Sequence, residues 1–112
     1  MSTGMMQKKR NPFVNRHVYK VDKRFALYNH GFTHFVEFVI NEYDEMQRLE
    51  NLCTKILGDR LYYSGSTVYH DGKWTEQYHI KRSSKTGSIF GAKYRYFFKS
   101  KKNYMLVLLA SD

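Results

Sequence analysis

The chain has 112 residues and a single cysteine, and its 19 lysines and arginines outnumber its 10 aspartates and glutamates, which gives a formal net charge of +9. This length predicts one domain with its own core, and one cysteine excludes an intrachain disulfide framework. No apolar run approaches the roughly 18 residues of a membrane span, and the N-terminus lacks the apolar segment of a secretory signal. The sequence therefore predicts an intracellular, cytoplasmic protein without a membrane partner.

The N-terminal residues 1–12 are polar, show no hydrophobic periodicity and include the basic run Lys8-Lys9-Arg10. Such a segment predicts a disordered basic arm. One domain is predicted to follow it, over residues 13–112.

Two strands are predicted next, from His17 to Tyr28 and from Phe32 to Ile40. The turn at 29–31 between them contains Asn and Gly, which both tolerate positive φ. The second strand is almost continuously apolar, and this is typical of a central strand buried on both faces. Glu37 interrupts it and is expected near an edge, a partner or the mouth of a cleft.

The stretch from Asn41 to Leu57 has the periodicity of an amphipathic helix. Asn41 is a suitable N-cap, and Gly58 follows as a stop signal. The expected use of this helix is to cover one face of a sheet. Its apolar stripe consists of Met46, Leu49, Leu52, Cys53, Ile56 and Leu57.

The dipeptide Asp71-Gly72 stands between two alternating segments within Leu61–Arg82 and predicts a two-residue hairpin. Its register would pair Tyr69 with Trp74. The face predicted to pack on the core consists of Leu61, Tyr63, Tyr69, Trp74, Tyr78 and Ile80.

The C-terminal part is predicted as a loop over Ser83–Ala92 and a last hairpin made of Lys93–Lys99 and Tyr104–Ala110. The fold class is therefore α+β, with a curved antiparallel sheet of about five to six strands and one amphipathic helix packed on one face.

The charges are unevenly distributed, because positions 77 to 111 contain no acidic residue. A one-sided positive surface favours polyanions, so the sequence predicts a protein that binds nucleic acid, RNA or DNA, and is not an enzyme. An exposed ring beside cations can stack on a base. Phosphate contacts are assigned to Lys81, Arg82, Lys85, Lys93, Arg95, Lys99, Lys101 and Lys102, and base stacking to Tyr62 and Phe97.

No metal site, cofactor or catalytic residue is predicted. The five histidines have no spacing suited to a shared ion, and they have no cysteine ligand beside them. Cys53 is expected to be a small buried hydrophobe, since it lies on the apolar stripe of the helix.

One alternative function is that of an inhibitor or adaptor of the phage or mobile-element type, whose partner would be a host protein that handles nucleic acid. The ten tyrosines suit a protein interface as well as a nucleic-acid interface. The oligomeric state is open, with a homodimer among the options.

A second alternative is a small metal-independent ribonuclease. The stretch Tyr94 to Leu109 is similar to the last hairpin of RelE-type toxins, which cleave messenger RNA, in its hydrophobic pattern and in Arg95. The paired N-terminal helices of that family have no counterpart in this sequence. A ribonuclease would use His70 or His79 to move a proton and Arg82 or Arg95 to stabilise the phosphorane.

Overall fold

The computed structural model describes residues 11–14, 16–40, 43–82 and 89–110. They form an α+β fold with an open four-stranded sheet, a two-stranded sheet and two helices. No helix in this described part has both the length and the apolar character that a bilayer crossing requires. The elements are β1 (Tyr19–Lys20), a 3-10 helix (Ala26–His30), β2 (His34–Ile40), α1 (Tyr43–Leu57), β3 (Tyr62–Ser64), β4 (Thr67–His70), β5 (Trp74–Arg82), β6 (Ile89–Phe98) and α2 (Lys101–Leu108).

The main sheet has the strand order β1-β2-β6-β5, and all its neighbouring strands are antiparallel. β2 lies between two other strands, which confirms that it is central. Phe35 is buried on one face, and Val36 and Phe38 are buried on the other, because successive side chains of a strand point to opposite faces.

α1 covers one face of this sheet with the apolar stripe that its periodicity predicts. Leu49, Leu52 and Cys53 of this stripe are buried, and burial raises the pKa of the Cys53 thiol above its ordinary value, so Cys53 is the small hydrophobe that the sequence predicts. Gly58 ends the helix with φ of 86°, and its N–H donates to the carbonyl of Thr54 at 2.9 Å. The predicted cap Asn41 lies outside the described residues.

The opposite face of the sheet is also partly covered, by the segment that follows β1. Val21, Leu27 and Phe32 of this segment pack with Phe35 and Phe97 in a second buried cluster. The prediction that Phe97 is an exposed stacking ring is therefore wrong. Strand alternation assigned Phe97 to the correct face, but that face is buried at this position.

The predicted last strand is wrong, because Tyr104–Ala110 lies mostly in α2. Ser100 begins this helix by accepting a hydrogen bond from the N–H of Asn103 at 3.1 Å. Tyr104 and Val107, three positions apart, are buried on one side of it. The prediction of one helix is thus also wrong, and the similarity to the last hairpin of RelE-type toxins loses its structural basis.

Asn11 connects the first described residues to the end of α2. Its side-chain amide donates to the carbonyls of Val107, Leu108 and Ala110 at 2.9–3.1 Å, and so satisfies acceptors that a helix end leaves without partners. Within the predicted arm, residues 1–10 lie outside the described residues, whereas Asn11 is bound to the folded part.

The hairpin predicted at Asp71-Gly72 is wrong, because β4 pairs with β3 and β5 pairs with β6. The turn of the observed hairpin is at Gly65, where φ is +60°. Gly72 is needed for another reason: a Cβ there would lie 2.5 Å from the carbonyl oxygen of Asp59. Of the predicted core face, Leu61 and Trp74 are buried, while Tyr69 and Tyr78 are exposed.

Two further boundaries differ from the sequence prediction. β1 is short, and the chain then turns into the 3-10 helix, which ends at Gly31 with φ of 89°. The predicted loop over Ser83–Ala92 is wrong in its last part, because β6 begins at Ile89 and pairs with Arg82 of β5. Residues 83–88 lie outside the described residues.

Candidate nucleic-acid interface

Lys93 and Arg95 lie on the open part of the second sheet face, and both pair with Glu37 of β2. The Lys93 ammonium is 2.7 Å from one carboxylate oxygen of Glu37, and Nε of Arg95 is 3.5 Å from the other. The register explains this, because Glu37 is directly opposite Arg95 across the strand pair. Two of the predicted phosphate-binding cations therefore share one internal carboxylate, which offsets one of their two positive charges.

Arg95 is held in a second way, by the rings beneath its guanidinium. Its carbon Cζ lies 5.7 Å from the ring centre of Phe25 and 5.5 Å from that of Phe35. Contacts of this kind favour a fixed cation over an aromatic face. Arg95 therefore contributes to the structure of the sheet face as well as to its charge.

Of the two predicted stacking rings, Tyr62 is exposed. It lies on β3, and the guanidinium of Arg60 covers its ring at 4.7 Å from the centre. Tyr62 can thus offer at most one ring face to a base. Tyr78, which the sequence places in the core, is the more open ring: 63% of its surface is exposed, and it is stacked on Tyr94 at the outer strand β5.

Three of the predicted phosphate ligands, Lys99, Lys101 and Lys102, lie at one end of the sheet, where four loops meet. The N–H of Val21 donates to the carbonyl of Thr33, the N–H of Thr33 to that of Phe98, and the N–H of Lys99 to that of Lys73, at 2.8–3.1 Å. These bonds bring distant positions of the sequence together. We call this surface the basic end, and it consists of Lys20, His34, Lys73, Lys99, Lys101 and Lys102.

His34 lies between two lysines of the basic end that come from opposite ends of the sequence. The pKa of His34 is lowered first by burial and then by the positive charges of Lys101 and Lys20. The Thr33 hydroxyl donates to the carbonyl of Lys99 at 3.0 Å, so Nδ1 of His34, 2.7 Å from that hydroxyl, is the donor of their hydrogen bond. The positive environment of His34 therefore favours its neutral form.

The first turn of α2 adds to this positive potential. It carries Lys101 and Lys102, both exposed, and has no acidic residue. The N-terminus of a helix already has a partial positive charge, and acidic residues there stabilise the helix. Two lysines at this position have the opposite effect. The same arrangement favours an anion near the helix start.

Two acidic residues lie within the loops of the basic end, and each pairs with a neighbouring cation. Asp22 binds Arg24 at 2.7 Å, and its pKa falls to about 2 through its hydrogen bonds with Arg24. Asp71 pairs with Lys99. The predicted phosphate ligand Lys99 therefore has an internal partner. Neither of these two acidic residues pairs with Lys101.

Three predicted phosphate ligands remain. Lys81 and Arg82 lie at the end of β5, where Lys81 is opposite Gly91, and their side chains are outside what the structure describes. Lys85 lies outside the described residues altogether. Their assignment stays a prediction.

The described residues contain no group of three or more His, Cys, Asp and Glu side chains that could hold a metal ion. His70 binds the carbonyl of Arg60 through Nδ1 at 3.0 Å, and His30 binds that of Gly65 through Nε2 at 3.1 Å. Both therefore have structural partners. The side chain of His79 is outside the described part.

Lys20, His34 and Lys73 of the basic end were not predicted from the sequence. The local sequence shows Lys20 as one cation among several. Its proximity to Lys101 depends on β1 pairing with β2 and on α2 starting where β6 ends. The basic end therefore exists only because β1, β2 and β6 pair side by side in the sheet.

No protein-family model, no curated protein and no solved structure matches this chain. The function of the protein must therefore be inferred from the geometry and charge of the described residues.

Proposed function

We propose that this protein binds nucleic acid, without catalysing a reaction on it, through the basic end of its sheet. The observation that carries the proposal is the strand register, which pairs Lys20 with His34 and His34 with Phe98, just before Lys101 begins α2. An intracellular location, where nucleic acid is accessible, belongs to the same proposal.

The basic end suits a chain of phosphate groups better than it suits a single small anion. Its cations are spread along one edge, from β1 to the start of α2, so they can follow a chain of phosphates. Such contacts release counterions, which makes the affinity depend strongly on salt. An affinity of about 10⁻⁶ to 10⁻⁴ M at physiological salt is expected for binding of this sequence-independent kind.

The first prediction concerns three lysines of the basic end. The variant K20A/K101A/K102A is expected to bind a fluorescent single-stranded oligonucleotide more weakly, and the slope of log affinity against log salt should fall by about 2 to 3. Fluorescence anisotropy at several salt concentrations measures both quantities. The matched control is Lys55→Ala, which removes an exposed lysine from the last turn of α1.

An equal loss of slope per lysine in the control and in the triple variant would show that net charge alone attracts the oligonucleotide. Absence of binding by the unmodified protein at low salt would overturn the proposed function.

The second prediction concerns Glu37. Glu37→Gln frees Lys93 and Arg95 from their ion pairs, so oligonucleotide affinity is expected to rise, and the salt slope to increase by about 1 to 2. Glu45→Gln removes the same charge from α1 and serves as the control in the same anisotropy titration. If both variants gain equally, the open part of the sheet face makes no contact with the nucleic acid.

A second candidate function, an adaptor that binds a host protein handling nucleic acid, is favoured by one observation. The β3–β4 hairpin is exposed throughout β4, with Val68 and Tyr69 facing solvent. Affinity capture from lysate with and without nuclease separates the two candidates. Partners that persist after nuclease treatment support the adaptor, and partners that disappear support nucleic-acid binding.

A further inference from the structure

Beneath α1, apart from the basic end, the carboxylate of Glu76 on β5 is buried in the main sheet. Only 7% of its side chain is exposed, and one oxygen, Oε1, is 2.5 Å from the guanidinium of Arg60. A buried carboxylate is stable only if it is paired and hydrogen-bonded. Arg60 supplies this pairing for one of the two oxygens.

The other oxygen of Glu76, Oε2, is buried and accepts no hydrogen bond. The hydroxyl of the fully buried Tyr96 lies beside Glu76 and is one donor from which this carboxylate can accept. A carboxylate oxygen has two lone pairs, so Oε2 can accept a second hydrogen bond as well.

Glu50 of α1 is placed near this carboxylate, because Glu50 and Arg60 line the same cleft and Arg60 is paired with Glu76. Two neighbouring carboxylates can form a hydrogen bond only if one of them carries a proton. With one proton, the cluster of Glu50, Glu76 and Arg60 is electrically neutral. Without it, two negative charges oppose one positive charge in a largely buried place.

Glu50 also has access to solvent. It lines a surface cleft of about 120 Å³ together with Thr54, Asp59, Arg60, Tyr62 and Trp74. A proton can therefore exchange between Glu50 and water without unfolding of the protein.

We propose that Glu50 and Glu76 share a single proton. The resulting hydrogen bond holds α1 on β5, so the packing of the helix weakens when the proton is lost. The device has the form of a carboxyl–carboxylate pair with an arginine counter-ion. It couples the packing of α1 to the pH of the surrounding solution.

The charges around the pair explain the pH at which it acts. Burial, the hydrogen bond with Glu76 and the charge of Glu76 raise the pKa of Glu50 to about 7, while Arg60 opposes them. The folded state then binds the proton more tightly than the unfolded state. The stabilisation of the folded state by this proton is complete below the ordinary glutamate pKa of 4.5. It is lost as the pH rises through about 7.

Several other titratable groups face the pair, and none of them changes this direction. Tyr94 and Tyr96 of β6 and Cys53 of α1 have raised pKa values, to which Glu50 and Glu76 contribute, so all three are neutral in this range. Asp59 lines the cleft as a further acid beside Arg60.

The test compares the full chain with two glutamine variants over about pH 5.5 to 8.5. Glu50→Gln keeps a donor toward Glu76 but cannot titrate. As the pH rises from about 5.5 to 8.5, the Tm of the unmodified protein is expected to fall by about 4 °C or more relative to the Tm of Glu50→Gln. Glu45→Gln, on the same helix, is expected to follow the unmodified protein. The five histidines are common to all three proteins, so their titration cancels in the comparison.

Parallel Tm curves for the unmodified protein and Glu50→Gln would overturn the proposal. A second measurement keeps it falsifiable if the variant does not fold: the ¹³C shift of the Glu50 carboxyl carbon, assigned in the unmodified protein by NMR. A carboxyl titration with a midpoint near 7 supports the shared proton, and a midpoint at the ordinary value of glutamate contradicts it.

Discussion

Replacing Phe13 by alanine is expected to lower the free energy of unfolding by about 3 to 5 kcal/mol, the range found for phenylalanines removed from cores. Phe13 is fully buried, although it follows directly on the predicted arm. Its ring makes edge-to-face contacts with Phe38, Tyr96, Phe98 and Tyr104, with centres 5.2–6.5 Å apart. Removing it leaves a cavity between α2 and the sheet.

Urea denaturation followed by circular dichroism measures this change. The matched control is Tyr69→Ala, an aromatic side chain in the exposed strand β4, for which a change within about 0.5 kcal/mol is expected. Similar losses in the two variants would mean that Phe13 does not pack in the core.

The second large effect is expected at Gly72. In Gly72→Ala the new methyl group would lie 2.5 Å from both the carbonyl oxygen of Asp59 and the amide nitrogen of Leu61. These atoms belong to the backbone and cannot rotate away, so the segment before β3 must shift. A loss of about 2 to 3 kcal/mol is expected, as for other overpacked sites.

Gly58→Ala is the control for this variant, because it also changes a glycine in a loop near the cleft. Gly58 has φ of +86°, but a Cβ there meets nothing within 4 Å, so the cost is that of the backbone conformation alone, about 1 to 2 kcal/mol. Denaturation midpoints compare the two. A smaller loss at Gly72 than at Gly58 would contradict the close approach of the two backbone segments.

Some of this fold could be predicted from local patterns. The stripe of α1 and the apolar run of β2 could be predicted, because burial on one face gives a periodic pattern and burial on both faces gives a continuous apolar run. The segment after Lys99 was predicted as a strand, although a run of apolar residues suits a buried strand and a short helix equally. Ser100 as a cap and the three-residue spacing of Tyr104 and Val107 were the signals that favour the helix.

Other features could not be predicted, because they depend on which strands meet. Asp71-Gly72 has the composition of a tight turn, but β5 pairs with β6, and Gly72 serves a close contact instead. The ion pairs of Glu37 follow from the register between β2 and β6. The excess of cations was visible in the sequence, whereas the pairing of Lys93 and Arg95 with one carboxylate required the three-dimensional arrangement.

The bonds from Asn11 to α2 have a consequence for biosynthesis. They join residues 96 to 99 positions apart, and the ring of Phe13 packs on Tyr104 in the same region. A ribosome delivers the early segment long before its partners exist, and contacts of such long range are slow to form. The packing of Phe13 between α2 and the sheet can therefore form only after the last helix has emerged, so nascent chains would expose Phe13 until translation of α2 is complete.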